Sequence, residues 1–218
     1  MRRGAFGARS AIYYSRVDTP ADGLRILAAD EDQEALQRTA QVLGRLGHDV
    51  TATAVELAQV TEAIAREEPE LSVVVVHRDD EHALDLIEEI TAFAGGPVVA
   101  LLAEEDAEFV RRAAERGIYA AVRDGDQEAL QSAIEIALRR HAETVRLIEQ
   151  VDRLESALER RAVIERAKGI LMERHGLTDR DAFDRLRAHA RSHNRTVVDV
   201  AGSVNEGHAL LGTGERDV

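Results

Sequence analysis

Residues 157–201 read ALERRAVIERAKGILMERHGLTDRDAFDRLRAHARSHNRTVVDVA, and this stretch decides the architecture of the C-terminal part of the chain. Its first part has apolar residues at helical spacing, and Gly176 follows as a stop signal. The apolar positions of this pattern are Ile164, Ala167, Ile170 and Leu171. The pattern predicts a first short helix that ends at Gly176.

Two further helix starts follow this glycine. Thr178 precedes Asp181 by three residues, which is the form of a capping box. Thr196 and Asp199 repeat the device after a basic turn. The apolar face of the second helix consists of Ala182, Phe183, Leu186 and Ala190, and that of the third consists of Val197, Val200, Ala201 and Val204. The stretch therefore predicts a bundle of three short helices with Phe183 in its core.

The charge of this stretch differs from that of the rest of the chain. Residues 160–195 contain ten Lys or Arg and five acids, a net of +5, whereas the whole chain carries −13 and the remainder therefore −18. Lys168 is the only lysine among 218 residues. A basic module on an acidic protein is typical of a polyanion-binding end. A solvated arginine-rich helix surface explains the charge equally well.

Residues 157–204 resemble an ANTAR domain, the RNA-binding module of transcription antitermination regulators. The positions that carry the resemblance are Ala157, Leu158, Arg161 to Ile164, Ala167 to Met172, Ala182, Phe183, Leu186, Arg187, Ala190, Asn194 and Asp199 to Ala201. The resemblance implies a three-helix bundle in residues 157–211 that works in pairs. A pair of such bundles would hold two hairpins of a nascent leader transcript and so prevent a terminator from folding.

RNA recognition sets requirements that this stretch can meet with few aromatic residues. The major groove of an RNA helix excludes side chains, so sequence is read from unpaired bases, while phosphates supply affinity. Because Phe183 is expected in the core, the unpaired bases would be recognised by arginine guanidinium groups and side-chain amides. Gly169 has no side chain, so a phosphate or a neighbouring helix could come close to the backbone there. The predicted RNA-binding residues are Arg161, Lys168, Arg187, Arg191 and Asn194.

Length and composition bound the remaining possibilities. A chain of 218 residues with 44% hydrophobic content fits two domains. The absence of cysteine excludes disulfides and thiolate metal sites and fits a cytoplasmic protein. No apolar run approaches membrane-spanning length, and no metal or other cofactor is expected. Residues 1–22 lack the apolar core of a signal peptide and are read as a flexible tail.

Residues 23–133 alternate short apolar runs with helical patterns. Strands are predicted at 24–29, 50–54, 71–76, 97–102 and 119–122, and helices at 33–46, 57–67, 81–93, 105–116 and from 127 onward. The run 71–76 is continuously apolar, as in a strand buried on both faces of a parallel sheet. The pattern predicts an α/β fold with a doubly wound five-stranded parallel sheet and a site at the carboxyl ends of the strands.

This order of elements, with Asp30 and Glu31 after the first strand, resembles a response-regulator receiver domain. The resemblance implies an acidic pair that holds Mg²⁺, an acceptor Asp after the third strand, a hydroxyl after the fourth and a Lys after the fifth. Val75 or His77 stands at the acceptor position. The other two positions hold Leu102 or Ala103, and Arg123 or Asp124. Residues 1–167 contain no lysine at all. We expect a pseudo-receiver that phosphorylation cannot switch.

Two alternatives remain for this edge of the sheet. Asp79 and Asp80 follow the third strand and could serve as displaced phosphoryl acceptors, or they are solvated turn residues. His77 could bind a metal or accept phosphate, or it is a histidine whose hydrogen bonds are satisfied within the protein.

A long helix is predicted between the two domains, in residues 134–160. Apolar residues recur at four-three spacing with charged residues beside them, which indicates a coiled coil and a homodimer. The phase of the seam slips, and His141 lies within it, so packing against the protein's own receiver is the alternative. The seam positions are Ile134, Leu138, His141, Val145 and Ile148, then Leu147, Val151, Leu154 and Leu158.

Two classes of function fit these patterns. The first is an RNA-binding antiterminator whose pseudo-receiver docks a signal-dependent protein partner or the second subunit. The second is a DNA-binding regulator with a helix-turn-helix. Because the last helix, residues 197–209, has no Arg or Lys to read a major groove, RNA is favoured. The sequence offers no nucleophile–base set, metal cluster or glycine-rich phosphate loop, so an enzyme is not expected.

Overall fold

The computed structural model describes residues 23–54, 57–77 and 81–212. The predicted tail 1–22 and the candidate acceptors Asp79 and Asp80 lie outside the described residues. Two compact units make up the chain, Met1–Leu147 and Ile148–Val218. The division falls inside the segment 134–160 that was predicted to be a coiled coil.

The first unit is the predicted α/β domain. Its five strands are all parallel and lie in the order β2-β1-β3-β4-β5. The elements are β1 (Arg25–Ala29), α1 (Gln33–Arg45), β2 (Asp49–Ala54), α2 (Leu57–Glu67), β3 (Leu71–Val76), α3 (Glu81–Phe93), β4 (Val98–Leu102), α4 (Ala107–Glu115), β5 (Ala120–Arg123) and the start of α5 (Gln127–His175). The doubly wound sheet and all five strands are confirmed, with each strand end within one residue of its predicted position.

Helices cover both faces of this sheet. On one face, α2, α3 and α4 pack against the strands through a core that includes Ile87 and Phe109. On the other face, α1 and α5 contribute Leu43 and Ile134 to a second core. Every residue of β3 is buried, including Ser72, as a strand covered on both faces requires. Chain connections diverge at β1 and β3, so the carboxyl ends of these two strands form the crevice where doubly wound folds place their sites.

Helix α5 is a single helix of 49 residues that runs from Gln127 to His175. The prediction of a separate short helix around residues 164–171 is therefore wrong, because these residues form the last part of α5. Near its start, Leu130, Ile134 and Ala137 are buried in the core of the α/β unit. The alternative that the seam packs against the protein's own sheet thus holds for this part of the helix. Neither α5 nor any other helix in the described residues is both long and apolar enough to cross a membrane.

The second unit is a small helical bundle. The end of α5 packs with α6 (Asp179–Ser192) and α7 (Val197–Gly212). The residues of its core cluster are short or of medium length, and they are Ala167, Leu186, Ala190, Val200 and Ala201. A core of this composition brings the helix backbones close together and leaves little room for a large aromatic ring.

Both predicted helix caps are present in this bundle, but only Thr196 and Asp199 form the reciprocal pair of a capping box, because the Asp181 carboxylate accepts from the Thr178 hydroxyl. Asp181 donates its backbone N–H to the Thr178 hydroxyl at 3.2 Å, which caps α6. Thr196 and Asp199 bond reciprocally at the start of α7, because each side chain accepts the backbone N–H of the other residue at 3.1 Å. The hydrogen bonds from Thr196 hold the pKa of Asp199 below its ordinary value. These caps fix where α6 and α7 begin.

The predicted burial of Phe183 is wrong. Its neighbour Ala182 is fully buried, but Phe183 remains 38% exposed and lies outside the core cluster. Successive residues of a helix are rotated by about 100°, so the residues spaced by four from Ala182 continue the buried line and Phe183 lies on its flank. The buried line continues with Leu186 and Ala190.

Candidate functional site

The crevice at the carboxyl edge of the sheet contains a buried acid. Asp30 directly follows β1 and is fully buried. Its Oδ1 lies 2.9 Å from the Nε2 of His77, which directly follows β3, and accepts the backbone N–H of Asp32 at 2.9 Å. Within the described part of the chain, the other oxygen of Asp30 has no hydrogen-bond partner. The two residues that end β1 and β3 are thus bonded to each other.

The two residues considered for the acceptor position lie in different surroundings. Val75 is a buried core residue of β3, whereas His77 lies at the strand end beside Asp30. His77 therefore has its hydrogen bond satisfied within the protein. Neither residue is a carboxylate.

The other predicted pocket residues are Leu102, Arg123 and Glu31. Leu102 is buried at the end of β4, and its register partner Arg123 is exposed at the end of β5. Glu31 is exposed, and Asp32 instead caps α1 by accepting the N–H groups of the next turn, which lowers the pKa of Asp32. Among the described residues, no group of three His, Asp or Glu side chains could hold a metal ion. In the described part of the chain, which excludes residues 78–80, no third ligand joins Asp30 and Glu31 to form a metal site.

A second candidate surface lies on the bundle. Arg187 and Arg191 are exposed and one turn apart on α6, and Arg161 is exposed on α5. Among the described residues, none of these three guanidinium groups has an ion-pair or hydrogen-bond partner. The same holds for the exposed Arg160, Arg166, Arg174, Arg180 and Arg185. Eight of the ten basic residues in 160–195 are therefore exposed and have no ion-pair or hydrogen-bond partner in the described part of the chain.

Lys168 differs from these arginines. Its side chain is only 10% exposed, and its ammonium pairs with Glu165 on the same helix at 2.9 Å and with Asp179 at 2.6 Å. Hydrogen bonds to Asp179 and then Glu165 raise the pKa of Lys168. Because Asp179 is the first residue of α6, this ammonium joins two helices of the bundle. Lys168 is placed where it stabilises the bundle, and its charge is directed at protein carboxylates.

Asn194 also has a structural role. Its φ of 51° lies in the left-handed region, which Asn tolerates better than most residues. Arg195 donates its N–H to the Ala190 carbonyl at 2.9 Å, and Asn194 donates its own to Arg191 at 3.4 Å, which together end α6. The Arg195 guanidinium bonds the Asp199 carbonyl and Ser203. Asn194 therefore lies at the end of the same helix that carries Arg187 and Arg191.

Gly169 is exposed, and nothing lies within 4 Å of the Cβ that a larger residue would add, so among the described residues no neighbouring helix packs on it. His189 and His193 stack at the end of α6 with ring centroids 4.0 Å apart. His189 follows Arg185 by four residues, so it lies on the flank of α6 opposite Arg187 and Arg191. Neither histidine was among the predicted contacts. Their spacing of four residues, which brings side chains together on a helix, could have indicated this pair.

Comparisons with known proteins agree with the geometry of both units. Residues 152–204 match the model of the ANTAR domain family. The chain is 30% identical over 190 residues to the transcriptional regulatory protein PdtaR of Mycobacterium tuberculosis, in strains CDC 1551 and H37Rv. This similarity covers 87% of the chain and 91% of the relative.

Solved structures with a similar fold include a fusion protein that carries the trimeric coiled coil of yeast Spc42. It covers 65% of this chain and 95% of its own, with 18% identity and a TM-score of 0.50. A signal receiver domain of a modulated diguanylate cyclase from Desulfovibrio desulfuricans G20 has 16% identity and a TM-score of 0.49, and covers 55% of this chain and 97% of its own. From the ANTAR match at the C-terminal end and the relative that spans both units, the chain belongs to the ANTAR-domain family of transcriptional regulators.

Proposed function

We propose that this regulator binds RNA hairpins in nascent leader transcripts and prevents terminator formation. The observation that carries the proposal is the set of eight exposed arginines without partners among the described residues, on a bundle that matches the ANTAR family. Unpaired guanidinium groups are available for phosphate oxygens, and each one used releases counterions from the nucleic acid. Arg161, Arg187 and Arg191 are the proposed RNA contacts.

Two of the originally predicted contacts take a supporting role in this proposal. Lys168 holds α5 to the start of α6 through Asp179, and Asn194 shapes the end of α6. Both residues position the arginine-bearing helix. A direct contact of either residue with RNA remains a prediction.

The DNA-binding alternative has less support. A helix-turn-helix protein inserts its second helix into the major groove, with side chains that read base edges. The corresponding helix here is α7, and its sequence VVDVAGSVNEGHALLG contains no Arg or Lys. The arginines instead lie on α5 and α6.

We further propose that the α/β unit is a pseudo-receiver. His77 occupies the strand end beside Asp30 and is hydrogen-bonded to it, so the crevice holds no acceptor carboxylate among the described residues. A surface of this unit would then dock a signal-dependent protein partner. The cell compartment that fits such a role is the cytoplasm.

The protein is proposed to act as a homodimer through the middle of α5. Residues Leu147, Val151, Leu154 and Leu158 follow four-three spacing and are between 52% and 66% exposed. An exposed row of this kind is the seam of a coiled coil, in which a second copy would cover the apolar side chains. A pair of bundles would bind a pair of hairpins.

Light scattering tests this dimer. The expected mass is twice the 23.9 kDa of one chain at micromolar concentration. Leu154→Asp should give the monomeric mass, whereas Ile136→Asp, at another exposed apolar position of the same helix, should leave the dimer intact. A monomeric wild-type protein would contradict the proposal.

RNA binding is tested by selection from a pool of paired hairpins with randomised loops, followed by gel-shift competition with duplex DNA. The protein should enrich particular loops, and duplex DNA should compete poorly. Arg187→Ala and Arg191→Ala should each reduce the slope of log affinity against log salt by about one. Arg185→Ala is the matched control, because helix geometry places Arg185 on the opposite flank of α6. Equal competition by DNA and RNA, or no enrichment, would overturn the proposed function.

A further inference from the structure

The bundle contains one aromatic residue of the Phe, Tyr and Trp type, and it is not used to build the core. Residues 148–212 include Phe183 alone from this class. The ring is 38% exposed, while the core is filled by smaller residues such as Leu186. A ring in this position contributes little to folding and is available for contact with a ligand.

The neighbours of Phe183 on α6 are positively charged. Arg180 precedes it by three residues, and Arg187 and Arg191 follow it by four and eight, so all four lie on one flank of the helix. This strip, Arg180–Phe183–Arg187–Arg191, extends about 16 Å along the helix axis. Within the described part of the chain, its three guanidinium groups have no internal partner. An apolar ring is thus flanked on both sides by unpaired cations.

This combination has a matching ligand chemistry. Proteins that bind single-stranded segments place aromatic rings under unpaired bases and cations along the phosphates. A protein surface would have to supply acids for the arginines, whereas RNA supplies a base and phosphates together. We infer that Phe183 is a stacking platform for one unpaired loop base of the bound RNA, with Arg180 and Arg187 on the adjacent phosphates. The inference rests on the proposed RNA-binding function and specifies its contact.

A tryptophan substitution gives a direct reporter for this contact. The chain contains no tryptophan, so Phe183→Trp introduces a single indole. Its fluorescence should be quenched when the selected hairpin RNA binds, and RNA affinity should be retained. Phe93→Trp is the matched control, because Phe93 is 58% exposed on α3 of the α/β unit. Its fluorescence should not respond to RNA.

Loss of the Phe183 ring should weaken RNA binding and leave the arginine–phosphate contacts unchanged. Phe183→Leu should reduce affinity for the selected hairpin by roughly 5-fold to 150-fold, the range measured for removing one stacked base. The salt slope should stay unchanged, because no phosphate contact is lost. Replacing loop bases one at a time by abasic sites should identify one position at which wild type and Phe183→Leu bind equally well.

The outcomes separate this inference from the proposed function. If wild type binds the hairpin but the indole of Phe183→Trp is not quenched and Phe183→Leu binds normally, the stacking platform is wrong and RNA binding stands. If Phe183→Leu changes only the mass in light scattering, the ring belongs to a protein interface and the inference is also overturned. If wild type binds no selected hairpin, the proposed function itself fails.

Discussion

The acid at the carboxyl edge of the sheet is buried and paired, whereas the charged groups on the basic flank of α6 are exposed and unpaired among the described residues. At the edge, Asp30 is fully buried and bonded to His77. On the flank, Arg187 and Arg191 are exposed, and neither has a partner among the described residues. Asp30 bonds within the protein through Oδ1, and its other oxygen has no partner among the described residues. A buried carboxylate is reached only by groups of its own fold, whereas an exposed guanidinium group can also pair with a ligand.

The largest expected effect is a loss of stability when a buried residue of the bundle is truncated. Leu186→Ala should lower the free energy of unfolding of the bundle by about 2–5 kcal/mol, because it leaves a cavity in a small core. Phe183→Ala should change it by no more than about 0.5–1 kcal/mol, because the ring is partly exposed. Chemical denaturation followed by circular dichroism compares the two. Similar losses for both variants would place Phe183 back in the core.

A second prediction separates Lys168 from the arginines. Lys168→Met should lower the melting temperature by several degrees, because Glu165 and Asp179 lose the ammonium that joins α5 to α6. The folded fraction should keep the salt slope of the wild type for RNA binding. Arg191→Ala should show the reverse, with an unchanged melting temperature and a shallower slope. Thermal melts combined with binding isotherms at several salt concentrations measure both; a shallower slope for Lys168→Met would make this lysine a phosphate contact.

A smaller effect is expected at His141. Burial lowers the pKa of His141, whose ring nitrogens contact Gly95 and Tyr119. The folded state therefore favours the neutral ring, so its contribution is fully present above the ordinary histidine pKa of about 6.5. It is lost as the pH falls from that value toward the lowered folded pKa, because the unfolded chain binds the proton first. Urea unfolding at about pH 7.5 and pH 5.5 should show this loss in wild type and a smaller loss in His141→Gln.

The last prediction is that phosphodonors have no effect. Small phosphodonors with Mg²⁺ should leave the protein unmodified and its RNA affinity unchanged, because His77 stands beside Asp30 where a receiver needs an acceptor aspartate. Intact-mass spectrometry checks the modification. An acid-labile phosphoryl adduct would show that a displaced carboxylate accepts the group, and the variants Asp79→Asn and Asp80→Asn would then locate it.

The sequence was sufficient for the features that local chemistry determines. The apolar run of β3, interrupted by Ser72, and the two helix caps were predicted at the right residues, because burial on both faces and cap hydrogen bonds leave a direct signature. The receiver-like order of strands followed from the alternation of patterns. Charge also separated the basic module from the acidic remainder.

The errors concern how far burial extends around a helix. A helical pattern gives the direction of the buried face, but its width depends on how closely the neighbouring helices approach. Because small residues such as Ala167 and Ala190 bring the helices together, the buried stripe is narrow and excludes Phe183. The same limit applies to α5, whose seam is buried at Ile134 and exposed at Leu154. The pairing of Lys168 with Asp179 depends on helix packing that spacing does not contain.

The buried lysine has a consequence for chemical labelling. Lys168 carries the only side-chain amine of the chain, and two carboxylates hold it protonated and almost covered. An acylating reagent needs the neutral, accessible amine, so the side chain must leave both Glu165 and Asp179 before it reacts. The rate at which this one nitrogen acquires an acetyl group therefore measures how often these two ion pairs break together, and no second lysine side chain contributes to the signal.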